Sequence, residues 1–559
     1  MNKARHFGLL IIVLLAGAML ALGQSVAPAL FFTDLTSGPA TGGENGNGVY
    51  VTIYGDRFGA TQGASTVTLN GSTSALRVVT WGATWQNMQK IIVQVMSGAA
   101  SGNFVVTVGG VPSNGLPFTV RSGNIYFVST SGSDSNSGSF ASPFKTLMKA
   151  RGTVKAGDTV YAMNGVSQTG DDGSGTNAAF SNFNNGASGT ASSPIAFVAY
   201  PGATVTVGSN SGPEYGLRTY RNYWIIAGFT LSGDVALQIN GADHTWAVGN
   251  SSQCGNPDAL IQGCNTATQS TNVFYYGNYV HDVGNPNNDK EEHTVYFTTD
   301  TNHVWAGWNT LANNATCYAM QVHSSPVGSG TGNSQFDLHI FDNVIHGDGC
   351  AGINLATIDP SKGTVEVYNN TIYHTGLGNT DGGYGACIFA PGYTNNGTAG
   401  SGSVEIYNNT MYDCGPSGSF GQAGIIALSN DTGLTYHLRN NIFYSASSKE
   451  AYLLQDNGGL SLFSCSAGDN DFFGNGGVPS GCGSGNLSVD PKLTSPSTGD
   501  FHLQAGSPMI AAGLSISGLT TDQDGVPRPL PFSIGALEFP GTSTVARPNP
   551  PTNLQVSVQ

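Results

Sequence analysis

The densest ionisable group in the chain is Asp289-Lys290-Glu291-Glu292-His293, followed at once by Tyr296, Asp300 and His303, with His323 further on. These residue types fit removal of a proton alpha to a carboxylate. That reaction needs a base, a positive charge to neutralise the carboxylate, and a donor for the leaving oxygen. Lys290 or His293 is the candidate base, and Tyr296 or His323 the candidate donor. Glu291 and Glu292 could hold a calcium ion that binds the carboxylate. An ordinary solvated loop carries the same residues, so the cluster alone decides nothing. A hydrolytic reading needs two carboxylates facing each other, and Glu292 with Asp300 or Asp348 is the pair to test.

Strands must position these groups. Six segments alternate apolar and polar residues with a period of two: 236–240, 294–298, 319–323, 352–356, 386–390 and 424–428. That period stacks Leu237, Val295, Met320, Ile353, Cys387 and Ile425 inward. Gln238, Tyr296, Gln321 and Asn354 then face outward, with Asn240, Thr298 and His323 two positions on. The outward face turns apolar at Ile388 and Ile426, which predicts a binding groove near residues 238–356. Gln238, Gln321, Asn354 and Asp300 are its candidate ligand-binding residues.

A second family of segments repeats between these strands. Asn278, Asn309, Asn343, Asn370, Asn409 and Asn441 each have an apolar residue two positions on (Val280, Leu311, Ile345, Ile372, Met411 and Phe443) and lie 31, 34, 27, 39 and 32 residues apart. One coil of a parallel β-helix takes about that much chain. Stacked asparagines at a turn bond along the axis and tolerate the left-handed conformation. These six therefore belong to the scaffold and not to a site.

Composition agrees. The chain has 79 glycines in 559 residues, 10% aromatics and only 9% charged residues, which favours an all-β fold with many tight turns over long helices or disorder. The net charge is −15, and nearer −17 without Lys3 and Arg5. Such a balance excludes a general nucleic-acid binder, which needs clustered Lys and Arg. It argues only weakly against a polyanionic ligand, because one local basic patch or bound calcium overrides a global field.

Residues 1–23 read as a secretory signal peptide: Lys3 and Arg5, an apolar run from Phe7 to Leu22, and small residues before Gln24. Nothing later is long and apolar enough to span a membrane. The expected product is a secreted, extracellular or cell-surface monomer. Eight cysteines all lie in the second half, which suggests disulfides. Cys254/Cys264 and Cys465/Cys482 are close enough to close local loops, and others could be buried thiols.

From residue 28 to 120, short strands such as 49–53, 67–69, 91–95 and 104–108 suggest a β-sandwich. This segment resembles the immunoglobulin-like IPT/TIG family, on Ser37-Gly38-Pro39, the run Val51 to Gly59 (VTIYGDRFG) and Val108 to Asn114. The resemblance implies a spacer or binding module without chemistry. Residues 124–539 open with Asn124-Ile125-Tyr126-Phe127-Val128, a short helix capped by Ser142 with Pro143 in its first turn, and Ala156 to Tyr161. That order resembles the capped entry of secreted pectate-lyase-like β-helix proteins. The run from Asp490 to Phe539 is similar to the ends of bacterial β-helix proteins and is expected to close the coil, with Asp500, Asp522 and Asp524 as turn formers or calcium ligands. Residues 540–559 form a Pro-rich tail. The fold class is thus all-β, a right-handed parallel β-helix behind an immunoglobulin-like sandwich.

The pectate-lyase-like resemblance implies a polysaccharide ligand and a lyase-type enzyme working in the groove. A non-catalytic glycan-binding protein and a glycoside hydrolase are the alternatives. Asn379-Thr380-Asp381-Gly382 matches the first short motif of polygalacturonase-like hydrolases, but no Asp-Asp, Gly-His-Gly or Arg-Ile-Lys follows it. The calcium and basic signatures of chondroitinase-B and alginate lyases find no match either.

Overall fold

The computed structural model describes residues 26–254, 263–284, 292–324, 335–378, 385–392, 400–415, 424–428, 433–446, 451–456 and 458–540. Residues 1–25 (with the expected signal peptide), Lys290, Glu291, Asp381 and the tail beyond residue 540 lie outside them.

Period-two alternation builds the body. Among the described residues three parallel sheets of 12, 11 and 10 strands run along one axis. Trp224–Ala227, Thr230–Ser232 and Val235–Asn240 form one rung, crossing the first, second and third sheet in turn. Inward residues of successive rungs are register partners. In the second sheet Val280, Leu311, Ile345, Ile372 and Met411 stack with no exposed surface. Burial of each such side chain contributes about 1.5–3 kcal/mol, so the stacked interior dominates the stability of the coil.

The turn from the first to the second sheet holds the asparagine ladder. Asn343 shows the repeating pattern: its N–H and Nδ2 donate to Asn370 Oδ1 at 3.0 and 2.9 Å, and Nδ2 also donates to Ala306 O at 3.0 Å. The expected six stack as one column. The ladder also extends one residue before them, to Asn250, and two after, to Asn470 and Asn486. Buried amides without such partners would cost about 1–3 kcal/mol each.

Three details at the ends differ from the sequence expectation. The entry helix spans Leu147–Arg151, and its N-cap is Thr146, which accepts from Lys149 N–H at 3.1 Å; Ser142 is not the cap. Phe144 pairs with Val128 as extended chain, so the helix starts after it. The last strand of the parallel sheets is Asp471–Phe473; Leu487 adds one parallel bridge to Asp471, and Cys482 and Val478 pack on the coil core there, so the run from Asp490 is not what closes the coil. It folds back along the outside of the second sheet: Gln523 Nε2 donates to Asn343 O at 2.9 Å, and Ala536 N–H to Thr410 Oγ1 at 3.0 Å.

The N-terminal domain is two antiparallel-rich sheets, Ala29–Thr33 to Leu76–Trp85 and Ser37–Gly38 to Thr66–Leu69. It does not hang free as a spacer. Its Phe31, Phe32 and Tyr54 share one apolar core with Phe274, Tyr276 and Phe341 of the first sheet. Trp85 Nε1 donates to Gly277 O at 2.7 Å. Gly277 has φ 61°, and a Cβ there would lie 2.4 Å from the Phe32 ring, so only glycine permits this approach. Arg57 donates to Asp524 O and Gly525 O, at 2.6 and 3.1 Å, tying the domain to the back-folded C-terminal segment as well.

All eight cysteines are paired, as Cys254–Cys264, Cys317–Cys350, Cys387–Cys414 and Cys465–Cys482, so the buried-thiol alternative falls away. No helix among the described residues is long and apolar enough to cross a membrane.

Candidate functional site

Register fixes which residues share the outward face of the third sheet. Gln238, Thr266, Tyr296, Gln321 and Asn354 are successive partners, so the predicted residues do form one column, with Thr266 on a rung that pattern reading passed over. At the C-terminal end the predicted phase is one residue early. Ile353 pairs with Ile388, and Ile388 with Ile426, so those isoleucines point inward and Phe389 and Ala427 face out. A period of two carries no phase information across a long loop.

The column itself is not an open groove. Its five side chains are 3–6% exposed. Two of their amide oxygens accept from neighbours: Gln321 Oε1 from Asn354 Nδ2 at 2.7 Å, and Gln238 Oε1 from Asn240 Nδ2 at 3.1 Å. The accessible line lies two positions on, where Asn240, Thr268, Thr298 and His323 are register partners and partly exposed.

Tyr296 and His323 form a pair. Tyr296 Oη lies 3.1 Å from His323 Nδ1, and their rings are parallel at 6.5 Å. Burial lowers the His323 pKa, which favours the neutral imidazole. His293 packs edge-on against Tyr296 and stacks on Tyr318, at 5.0 and 5.5 Å. It is fully buried, and neither ring nitrogen has a hydrogen-bond partner. Burial, helped by His323, pushes its pKa down to about 3. The expected role of His293 as a base in the groove is therefore corrected: no solvent-facing atom is available.

The predicted carboxylate pairs also fail geometrically. Glu292 and Asp300 flank the two ends of the strand His293–Thr298, and that strand alone spans roughly 20 Å at about 3.3 Å per residue. A glycosidase pair needs about 5–9.5 Å. Asp348 has no exposed surface, and burial raises its pKa well above the carboxylate range. Glu292 is 2% exposed. Among the described residues no group of three His, Cys, Asp or Glu side chains could hold a metal ion. Glu291, the other expected calcium ligand, lies outside the described residues. Asp522 is a turn former that accepts from the N–H groups of Asp524, Val526 and Glu538, while Asp500 and Asp524 grip His502 at 2.6 and 2.8 Å.

Sequence reading missed Arg218. It precedes Gln238 in the outward column and donates to Gln238 Oε1 and to Thr176 O. Its guanidinium lies 3.9 Å from the Tyr215 ring centre and 5.1 Å from that of Tyr220. Among the described residues no carboxylate forms an ion pair with it. Its one sequence signal is the spacing Tyr215, Arg218, Tyr220.

Comparison with known proteins adds the following. No curated protein matches the chain. Among solved structures it is similar to pectate lyase Pel9A, at 15% identity over 75% of this chain and 97% of that one, with a TM-score of 0.44. It is also similar to a rhamnogalacturonan lyase (15%, 66% and 90%, 0.38) and to XylC in complex with xylose (10%, 74% and 99%, 0.43). By sequence, residues 32–120 match the IPT/TIG domain and residues 126–289 the Pel9A-like right-handed β-helix region.

Proposed function

We propose that the protein acts on an acidic polysaccharide lying along the accessible line of the third sheet, and that it cleaves this polymer by β-elimination. The observation that carries this reading is Arg218. In a chain of net charge −15, a guanidinium held by Gln238 and two tyrosine rings has no carboxylate partner among the described residues. A planar fork of this kind matches a uronate carboxylate bidentately.

Arg218 lies four rungs from His323, roughly 19 Å at the spacing between strands. It anchors the polymer at a distant sugar, and a separate cation must neutralise the carboxylate of the reacting one. At the reacting sugar, neutral His323 takes the proton alpha to the carboxylate, and the electron pair forms the C=C bond as the C–O bond to the leaving chain breaks. The Tyr296 phenol, already bonded to His323, supplies the proton that the leaving oxygen needs. The similarity of residues 126–289, which hold Arg218 but neither Tyr296 nor His323, to a Pel9A-like region supports a glycan-acting coil. The four disulfides support export into an oxidising compartment.

Polygalacturonate, alginate and rhamnogalacturonan incubated with the protein test the reading. Ultraviolet absorbance of unsaturated uronate ends is expected from one of them, and its loss in Arg218→Gln. New reducing ends without that absorbance would replace elimination by hydrolysis. Binding without turnover is the second reading, favoured by the low exposure of Tyr296, Gln321 and Asn354.

A further inference from the structure

The outward face of the first sheet, beside the docked N-terminal domain, carries a second polar row. Register makes Trp305, His339, Glu366, Glu405 and His437 successive partners on five rungs. Three carboxylates on three consecutive rungs repeat one arrangement, in which each oxygen accepts from a different donor. Asp337 takes His303 at 2.5 Å and His339 at 3.2 Å. Glu366 takes His339 at 2.6 Å and Tyr407 Oη at 2.9 Å. Glu405 takes His437 at 2.8 Å and Arg439. His339 also stacks on Trp305 at 5.3 Å and 8°.

We infer that this row is a second, non-catalytic binding site for a neutral, linear glycan running parallel to the coil axis. Concentration of charge separates it from an ordinary solvated face. Only 9% of the chain is charged, yet these adjacent rungs place three acids, three histidines and an arginine on one face. The pairing makes the row rigid before any ligand arrives, because every acid is fixed at both oxygens. Side-chain exposures of 18–40% leave the groups within reach of solvent.

The chemistry selects the ligand class. Each carboxylate oxygen keeps an acceptor site after its one bond, so the row offers paired acceptors at every rung, roughly 4.8 Å apart. Vicinal sugar hydroxyls both donate and accept, and match such a row. A polyanion would meet three carboxylates, and a metal ion would have to displace imidazole, phenol and guanidinium donors already in place. The apolar core shared with the N-terminal domain takes in Trp305, so that domain borders the row along one side.

Isothermal titration with cellohexaose and xylohexaose tests the site, using the full chain, the double variant Glu366→Gln/Glu405→Gln, and Ser403→Arg. Ser403 lies two positions before Glu405 on the same face and belongs to none of the pairs, so its replacement adds bulk without breaking one. The parent is expected to bind one hexasaccharide, both variants at least tenfold more weakly, with turnover of acidic polymer unchanged. If the double variant does not fold, the result is read from Ser403→Arg alone. Failure of the parent to bind either hexasaccharide overturns the inference, as does full affinity in a folded variant. Absence of turnover on acidic polymers would sink the reading of the third sheet and leave this one standing.

Discussion

The outward faces of the first and third sheets are built on the same rungs but solve opposite problems. On the third sheet the column of Gln238, Tyr296, Gln321 and Asn354 is buried, amide-rich and uncharged, and Arg218, one rung before Gln238, has no acid partner among the described residues. On the first sheet the row from His303 to Arg439 is partly exposed, and every acid in it is tied to a cation, an imidazole or a phenol. A lone held cation recruits a carboxylate, whereas a self-neutralised row recruits hydroxyls. The period of the coil sets where side chains point, and the pairing across rungs sets what each face can bind.

Their histidines make the contrast measurable. Burial, helped by His323, pushes His293 down to about 3, below the ordinary 6.5 of the unfolded chain. Burial also opposes charge on His339, but hydrogen bonds to Asp337 and Glu366 win and hold it up at about 9. The signs are therefore opposite. The unfolded chain binds the His293 proton more readily, so that stability is full above pH 6.5 and is lost as pH falls toward 3. The folded chain binds the His339 proton more readily, so that stability is full below pH 6.5 and is lost as pH rises through 9.

The largest expected effect breaks both faces together. Asn343→Asp replaces the ladder's Nδ2 donor by a buried carboxylate, at a cost of about 3–5 kcal/mol. A denaturant melt should show that loss, whereas Asn486→Asp, at the end of the ladder, should cost less. A cost below 1 kcal/mol at Asn343 would remove the ladder as the common scaffold.

Next comes the acid limb. His293→Leu should flatten the loss of stability between pH 6.5 and 4.5, which amounts to about 3 kcal/mol from one group at 1.36 kcal/mol per unit. Thermal melts across that range decide it, and an unchanged acid limb would contradict the burial of an unpaired imidazole.

Arg218→Gln should weaken turnover of the acidic polymer about 100-fold, or about 2.7 kcal/mol, and leave hexasaccharide binding at the first sheet intact. Loss of both would mean that the two faces form one site. The smallest effect is on the alkaline limb. His339→Gln should remove the decline between pH 6.5 and 9, about 3.4 kcal/mol before screening and about 1–2 after it at this partly exposed group, without affecting the acid limb.

How much of this was legible follows from distance along the chain. The coil was readable because Asn278 to Asn441 recur once per rung and because Leu237, Val295, Met320 and Ile353 keep one phase. The cluster at residues 289–303 drew attention because its members adjoin in sequence, yet folding separates them: His293 is buried at a strand start, Asp300 lies beyond the other end of that strand, and His303 turns to a different sheet. The first-sheet row left no local signature, because its bonded partners are mostly 27–41 residues apart and only register joins them. The phase at Cys387 and the return of the C-terminal segment escaped for the same reason, since neither is a property of a short window.

The most direct test is a crystal structure of the protein soaked with a hexauronate of the polymer it turns over. One carboxylate is expected on the Arg218 guanidinium, with the chain running past Asn240, Thr268 and Thr298 to His323. A hexauronate bound on the first-sheet row instead, or bound on the third sheet without touching Arg218, would contradict the account.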